Sequence, residues 1–398
     1  MFRLSHYMSE LLQPKTFTRR KAKGPVVIWN LLRRCNLSCR HCYANSFDKE
    51  FEGELRLDEC LRTVDQLKEA HVPALILSGG EPLLHPHLFT IAKYAKEKKF
   101  YLALSSNGIL ITEEVADRLK DLDFNYVGVS LDGLPETHDY IRGQEGAFHQ
   151  SVEGIKNGVS RGLKMGMRTT LTHSNAHQIE AMLDLAISLG VEKFYLSHLN
   201  YGGRGNKKED ALFKMTRDVM ILLFEKALEY ESRGIHLEIV TGNNDADAAF
   251  MLMWAEEKVK LGLISQTHLD HVAGMLEFWG GNASGVGVAN IDSQGDVHPD
   301  TFWPGVQLGN LRQNSFGDIW SNNEHPIIKV LRSDRTAITG RCHDCQFFKV
   351  CNGNTRVRAH KTFNDPWASD PGCYLTDAEI KKINILSTNN DYQLNPIA

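Results

Sequence analysis

Three cysteines near the N-terminus lie close enough together to bind a metal or a metal cluster. Cys35, Cys39 and Cys42 stand in the stretch RRCNLSCRHCYAN. A structural zinc site uses four protein ligands, whereas a [4Fe-4S] cluster held by three cysteines leaves one iron open to another ligand. The count of three therefore favours a cluster with an open iron, while zinc with a distant fourth ligand stays an alternative.

A second cysteine group lies near the C-terminus. Cys342, Cys345 and Cys351 fall in CHDCQFFKVC, and Cys373 follows later in the chain. Four thiolates complete a site without an outside ligand, and both zinc and a fully ligated [4Fe-4S] cluster suit this spacing. The eighth cysteine, Cys60, stands alone on a predicted helix, where we expect a buried apolar side chain.

Short apolar runs alternate with longer helical patterns between Val26 and His198, which is typical of repeated βα units around a parallel sheet. The predicted strands are Val26–Asn30, Ala74–Leu77, Tyr101–Ser105, Tyr126–Ser130, Met165–Leu171 and Lys193–His198. The predicted helices are Leu57–Ala70, His87–Lys98, Glu113–Leu122, Phe148–Arg161, His177–Leu189 and, beyond the repeat, Ala211–Ser232. A hairpin of Val286–Ile291 and Asp296–His298 is predicted to begin a second domain.

Polar and glycine residues follow several predicted strands, where the chemistry of such a sheet collects. The cysteine triad follows the first strand and Ser78–Pro82 follows the second. The loop residues singled out here are Gly79, Gly80, Glu81, Pro82, Ser105, Ser106, Asn107, Ser130 and Asp132. Each could equally be an ordinary turn residue, and Arg142 and Arg168 could equally be structural arginines.

Composition excludes several classes of protein. The 398 residues are 42% apolar and 24% charged, with a formal charge of -4, as in an ordinary globular chain without a general attraction to nucleic acid or anionic lipid. No apolar run is long enough to span a membrane, and the cysteines are too few for a disulfide scaffold. We expect a cytoplasmic protein without nucleic-acid or membrane partners.

The triad with Tyr43 after its third cysteine resembles the signature of radical S-adenosylmethionine (SAM) enzymes. The resemblance implies a partial (β/α)6 TIM-type barrel and a SAM molecule chelated by the open iron, from which reduction releases a 5'-deoxyadenosyl radical. It also implies that Gly79 to Pro82 hold the methionine amino group of SAM. Ser105, Asn107, Ser130 and Asp132 would then suit its ribose or carboxylate, and Arg142 and Arg168 its carboxylate.

The C-terminal cysteines resemble the auxiliary cluster domain, of SPASM or twitch type, that follows the barrel in radical SAM maturases. This implies two [4Fe-4S] clusters in all. The chain departs from the full SPASM pattern, since Asp300 and Thr355 stand where further cysteines would be, and Asp300 could serve as an oxygen ligand. The predicted division is an N-terminal extension (1–23), a radical SAM core (24–235), a bridging helical region (236–284) and an auxiliary cluster domain (285–398).

The leader FRLSHYMSELLQP and the tail segments VCNGNTRVRAH and DPWASDPGCYL are similar to those of the radical SAM proteins of heme d1 biosynthesis. That resemblance implies removal of propionate side chains from didecarboxysiroheme, with a ferredoxin or flavodoxin as low-potential electron donor. Basic candidates for gripping carboxylates are Arg204, Lys207, Lys208, Arg356, Arg358, His360 and Lys361, and candidates for the tetrapyrrole iron are His198, His236 and His298.

Other functions remain open at this point. Enzymes of the alternative heme pathway and peptide-modifying maturases share the two-domain layout. An electron carrier with two clusters and a zinc-stabilised binding module are further possibilities from other classes. The open-iron triad and the glycine-rich loop after the second strand argue against both of these.

Overall fold

The structure is a computed structural model that describes residues 1–15 and 23–381. Residues 16–22 of the predicted N-terminal extension and residues 382–398 of the predicted auxiliary domain lie outside the described part. Within it, no helix has the length and apolar character needed to cross a membrane.

A single sheet organises the described chain. Its strands are β1 (Val26–Asn30), β2 (Ala74–Ser78), β3 (Tyr101–Ser106), β4 (Tyr126–Ser130), β5 (Met165–Leu171), β6 (Lys193–His198), β7 (Glu238–Gly242), β8 (Val288–Ile291), β9 (Asp296–His298) and β10 (Gly309–Asn310). Strands β1 to β7 pair in parallel in sequence order. The six predicted barrel strands are confirmed as β1 to β6, each within one residue of its predicted end.

Helices cover this sheet. They are α1 (Leu4–Leu12), α2 (Leu57–Glu69), α3 (Leu88–Glu97), α4 (Glu113–Asp121), α5 (Pro135–Arg142), α6 (Ala147–Ser160), α7 (Ile179–Ser188), α8 (Phe213–Arg233), α9 (Ala246–Lys260), α10 (Gln266–Trp279), α11 (Phe316–Ser321), α12 (Pro326–Leu331), α13 (Phe348–Cys351), α14 (Arg356–Phe363) and α15 (Asp377–Ile380). The five helices predicted between the barrel strands are α2, α3, α4, α6 and α7.

The apolar faces of these elements form the core. Leu75 and Leu77 of β2 and Leu102 and Leu104 of β3 are buried completely, as expected of parallel strands covered by helices. Removing such side chains from water is the main favourable term in folding, on the order of 25 cal/mol per Å². The βα repeat therefore fixes a rigid layer, and the loops at the carboxyl ends of its strands are free to carry polar residues.

Several elements were absent from the sequence-based prediction, among them β7, β10, α1, α5 and the short helices α11 to α15. Strand β7 falls in the predicted bridging helical region and was missed because it is short and borders Asn243 and Asn244. Helix α5 was missed because it is short and shares its connection with the longer α6, which was predicted. Helix α1 lies in the predicted extension, although Leu4, Met8 and Leu11 recur at helical spacing and are buried.

The predicted hairpin forms from β8 and β9, but it also joins the main sheet. Strand β8 pairs in parallel with β1, with Val26 opposite Val288 and Trp29 opposite Ile291. The sheet therefore runs without interruption from β10 to β7, through the predicted boundaries at 235 and 284. The division into four segments stays a prediction.

Candidate active site at the carboxyl end of the sheet

The cysteine triad lies on the loop that follows β1. Cys35 and Cys39 are buried and Cys42 is half-buried. Each sulfur accepts a hydrogen bond from a nearby nitrogen: Cys35 from the Leu37 backbone amide at 3.4 Å, Cys42 from the Ser46 backbone amide at 3.4 Å, and Cys39 from Nη1 of Arg142 at 3.5 Å. Burial raises the pKa of Cys35 to about 12. The thiolate form therefore needs a positive partner, and a bound cluster supplies one.

The two glycines after β2 permit the close approach of this loop. The Gly80 amide donates to the Leu32 carbonyl at 2.8 Å, and the Glu81 amide donates to the Arg34 carbonyl at 2.9 Å. A Cβ at Gly79 would lie 2.5 Å from the Leu32 oxygen, and one at Gly80 would lie 2.1 Å from the Arg34 oxygen. The backbone of the glycine-rich loop therefore lies directly against the backbone of the cysteine loop.

Glu81 ties the loops after β2 and β3 together. Its carboxylate is fully buried and accepts from the Asn107 amide at 2.8 Å, Ser106 Oγ at 2.9 Å and the Leu83 amide at 3.1 Å. Burial raises the pKa of Glu81 to about 7. Pro82 begins the short turn that follows and is also buried. The expected contact of Gly79 to Pro82 with the SAM amino group stays a prediction.

Asn107 and Arg168 stand at neighbouring strand ends. The side-chain Nδ2 of Asn107 donates to Oδ1 of Asn36 at 2.8 Å and lies 4.0 Å from Sγ of Cys35, so this predicted residue borders the triad. Nη1 of Arg168 donates to Ser105 Oγ at 2.7 Å, and Ser130 lies beside Arg168 in strand register. The structure thus brings Asn107 to the cysteine loop and groups Ser105, Ser130 and Arg168.

Asp132 and Arg142 form a buried ion pair beside the cysteine loop. Nη2 of Arg142 lies 2.6 Å from Oδ2 of Asp132, which also lies 2.8 Å from Nε2 of His41. Burial alone would raise the pKa of Asp132, but Arg142 and His41 hold it below its ordinary value. Their charges are paired with each other inside the chain, and their expected contact with SAM stays a prediction. His41 was missed, although its place between Cys39 and Cys42 was a signal.

Tyr43 and Arg204 connect the cysteine loop to later parts of the chain. Tyr43 donates to Oδ1 of Asn30 at 3.1 Å, and its ring meets the Phe302 ring edge-on with centroids 5.1 Å apart. Nε of Arg204 donates to the Cys39 carbonyl at 2.7 Å and Nη1 to the Ser46 carbonyl at 3.0 Å. Arg204 therefore holds the loop through two of its nitrogens, while its Nη2 has no hydrogen-bond partner among the described residues, and its role in substrate binding stays a prediction. Lys207 is exposed nearby in sequence.

The second cysteine group comes together in space. Cys342, Cys345, Cys351 and Cys373 line one cavity, whose wall is completed by Ala246, Arg341, Asn354, Leu375 and Ile380. In the part of the chain that the structure describes, no three His, Cys, Asp or Glu side chains form a group that could hold a single metal ion. Burial raises the pKa of Cys373 to about 12. Four sulfur donors around a largely apolar cavity fit a cluster.

Arg356 and Arg358 are not available to a substrate as predicted. They are 0% and 1% exposed. Nη1 of Arg356 donates to the Ala368 carbonyl at 2.7 Å, while Arg358 forms two hydrogen bonds with Asp370 and one with the Asn243 carbonyl. These guanidinium groups hold the C-terminal segment together, which corrects their assignment to carboxylate binding.

The three candidate histidines lie in different surroundings. Nε2 of His198 is 2.9 Å from Oδ2 of Asp247, and its ring stacks on Tyr374. Nδ1 of His298 bonds the Val306 carbonyl at 2.8 Å, and its Nε2 lies 3.8 Å from Asp292, too far for a hydrogen bond. His236 is exposed before β7. His198 is therefore committed to a carboxylate, while Nε2 of His298 remains without a hydrogen-bond partner among the described residues.

Two further buried polar residues lie near the site, and sequence reasoning missed the first of them. Asn200, just after β6, is buried with no described hydrogen-bond partner for either side-chain atom. Asp300, considered as a metal ligand, accepts from Ser284 Oγ and from the Phe302 amide at 2.9 Å, and burial raises its pKa. Its carboxylate is thus held by protein donors. An isolated asparagine gives no sequence signal, so only the fold could reveal Asn200.

Comparisons with known proteins agree with this arrangement. The radical SAM superfamily matches residues 29–186, and an iron-sulfur cluster-binding domain of SPASM type matches residues 284–346. The chain is 49% identical to pre-heme d1 synthase of Dinoroseobacter shibae over 95% of this chain and 93% of that protein. It is 38% identical to Fe-coproporphyrin III synthase of Methanosarcina barkeri over 90% of each chain.

A solved structure supports the fold. The chain resembles Streptococcus suis SuiB bound to S-adenosylmethionine with a TM-score of 0.69 and 19% identity, over 89% of this chain and 78% of that one. The matched ranges include the cysteine triad, the glycine-rich loop and the β8–β9 hairpin, each of which has the geometry described above. The chain therefore belongs to the radical SAM superfamily, in the group that carries a C-terminal SPASM-type iron-sulfur cluster-binding domain.

Proposed function

We propose that this protein is a radical SAM enzyme of heme d1 biosynthesis that removes propionate side chains from didecarboxysiroheme. The observation that carries the proposal is the 49% identity to a pre-heme d1 synthase over nearly the full length of both chains. The site is consistent with this proposal, because the cysteine loop, the glycine-rich loop and the polar strand ends meet at the carboxyl end of the sheet.

A cluster and SAM, when bound, supply a radical that can take hydrogen from an unactivated carbon. A propionate carbon has no hydrogen acidic enough for removal by a general base, so no Asp or His of this chain could do this step alone. The chain's own residues place the reactants. Gly79 and Gly80 allow the glycine-rich loop after β2 to lie against the cysteine loop. Glu81 binds the backbone amide of Asn107 and so holds Asn107 beside Cys35.

We also propose two [4Fe-4S] clusters, one at Cys35, Cys39 and Cys42 and one at Cys342, Cys345, Cys351 and Cys373. The second set is supported by the shared cavity that its four thiols line. Four thiolates leave no iron open, so this cluster would relay electrons or support the fold. The electron donor would be a low-potential carrier such as a ferredoxin or flavodoxin.

The tetrapyrrole would lie between the carboxyl end of the sheet and the C-terminal segment. Tyr43 and Phe302 bring these two parts together, and the buried amide of Asn200 offers a donor and an acceptor that no described residue uses. With Arg204, Arg356 and Arg358 engaged by the protein, Lys207 and Lys208 remain as exposed cations for the carboxylates. Arg168 is a further candidate because it is only half-buried.

Anaerobic incubation of the purified protein with SAM, a reductant and didecarboxysiroheme tests the proposal. Mass analysis should show loss of propionate side chains and formation of 5'-deoxyadenosine, and the Cys39→Ser variant should show neither. A product identified as Fe-coproporphyrin III would instead place the chain with its Methanosarcina relative. Unchanged didecarboxysiroheme, with SAM turned over only beside a precursor peptide, would contradict the tetrapyrrole assignment.

A further inference from the structure

We propose that Arg142 and Asp132 set the reduction potential of the cluster at Cys35, Cys39 and Cys42, with Arg142 raising it and Asp132 lowering it. The inference rests on the assignment of that cluster and not on the tetrapyrrole substrate. It gives a second purpose to two residues that the sequence suggests for SAM binding.

Arg142 is held against the cysteine loop from two sides. It is the last residue of α5, its carbonyl accepts from the Ser38 amide at 3.3 Å, and the preceding Ile141 carbonyl accepts from the Arg40 amide at 2.9 Å. Gly143 follows with φ of 71°, where a Cβ would lie 2.6 Å from Ser38 Oγ. The helix end is therefore fixed on the loop, and the guanidinium has little freedom to move away.

The guanidinium reaches one cluster ligand directly. Nη1 of Arg142 lies 3.5 Å from Sγ of Cys39, and Nε is buried without a hydrogen-bond partner among the described residues. A cationic donor on a ligand sulfur withdraws negative charge from a cluster. Such hydrogen bonds, net charge and solvent exposure are the factors by which a protein adjusts cluster potentials.

Asp132 acts in the opposite direction. Its carboxylate lies 2.6 Å from Nη2 of Arg142, is fully buried, and also contacts His41 and the Thr170 amide. Buried charges interact strongly because little water screens them. When an external reductant adds one electron to the cluster, the nearby cation stabilises the added charge and the nearby anion opposes it.

Redox titration of the anaerobic holoprotein with dithionite, followed by electron paramagnetic resonance, tests the inference. The signal to follow is the one that added SAM perturbs, because it belongs to the cluster with the open iron. Compared with wild type, Arg142→Gln should lower the midpoint potential and Asp132→Asn should raise it. The double variant should lie between the two single variants.

Two controls separate charge from structure. Arg142→Lys retains the charge and should shift the potential less than Arg142→Gln. Arg161→Gln removes an equal charge from the outer end of α6, where Arg161 pairs with Glu113 and Asp117, and should leave the potential unchanged. Should Arg142→Gln fail to retain iron, Asp132→Asn and Arg142→Lys still decide the question. Shifts of the same sign in Arg142→Gln and Asp132→Asn, or no shift in Asp132→Asn, would overturn the proposal.

Discussion

Arg358 and Asp370 form a buried ion pair with two contacts, Nη2 to Oδ2 at 2.6 Å and Nε to Oδ1 at 2.9 Å. Arg358 also donates to the carbonyls of Leu199 and Asn243, which follow β6 and β7. One side chain thus joins the barrel loops to the segment just before Cys373. The pair therefore helps to hold the segment that contains Cys373 against the barrel.

Removing one member of the pair should be costly. Arg358→Met leaves Asp370 as an uncompensated buried charge and should lower the free energy of unfolding by about 3 to 5 kcal/mol. The double variant Arg358→Met/Asp370→Leu should lose less than the sum of the single variants. Urea unfolding of the anaerobic holoprotein measures these energies, and strict additivity would contradict the coupling.

Serine substitutions in the triad test the first cluster. Cys35→Ser, Cys39→Ser and Cys42→Ser should each remove one cluster's iron and abolish formation of 5'-deoxyadenosine, while the C-terminal cluster remains. Cys60→Ser is the matched control, since Cys60 is buried in the main hydrophobic core, outside the hydrophobic cluster that contains the triad, and its thiol donates to the Leu55 carbonyl. Iron and sulfide analysis with a SAM cleavage assay gives the result. Equal iron in Cys39→Ser and wild type would refute the assignment.

The four C-terminal cysteines should bind iron and not zinc. Anaerobically purified protein is expected to carry two clusters' iron and sulfide per chain, because the four C-terminal cysteines line one cavity. Metal analysis of wild type and Cys373→Ser measures this directly. One equivalent of zinc with a single cluster's iron would show that the second site is a zinc site.

Gly80→Ala should disturb the first cluster without touching a cysteine. Its new Cβ would lie 2.1 Å from the Arg34 carbonyl oxygen and 2.6 Å from the Arg33 oxygen, so the cysteine loop must shift. We expect lower iron content and weaker SAM cleavage. Gly274→Ala in α10 is the control, since nothing lies within 4 Å and alanine favours a helix by about 0.5 to 1 kcal/mol. Wild-type iron in Gly80→Ala would contradict this reading of the loop.

Glu81 should make stability depend on pH. Its pKa in the folded chain is about 7, above the ordinary value of 4.5, so between these values the folded chain keeps a proton that the unfolded chain releases. The contribution of Glu81 to stability is therefore lost as pH rises from about 4.5 to about 7, by up to about 3 kcal/mol. Anaerobic urea unfolding from pH 5 to 8 should show this slope in wild type relative to Glu81→Gln. A constant difference would argue against it.

The sequence predicted the repeating part of the fold well because one physical signal controls it. Apolar runs of strand length, separated by helical periodicity, located β1 to β6 and the helices between them. Helix α1 and strand β7 depend on contacts with distant partners, such as the bridge between Phe2 and Thr241. The pairing of β8 with β1 likewise has no local signal.

For the site, residue type and spacing identified the cysteines, while the roles of charged residues required the fold. Arg142, Arg204, Arg356 and Arg358 were all assigned to anionic ligands. Each meets an internal partner that lies far away in sequence or is a backbone carbonyl. A guanidinium has five donors and suits a carbonyl as well as a carboxylate, so sequence cannot tell an internal clamp from a ligand contact.

The pairing of β1 with both β2 and β8 has a consequence for the order in which the protein is made. Strand β1 leads directly into Cys35, yet one of its edges stays unpaired until Val288–Ile291 has left the ribosome. Domains otherwise fold as their residues emerge, and exposed strand edges invite aggregation. Completion of the sheet around the first cysteine loop is thus a late event in biogenesis, and a chain that ends before β8 would present that loop on an open edge.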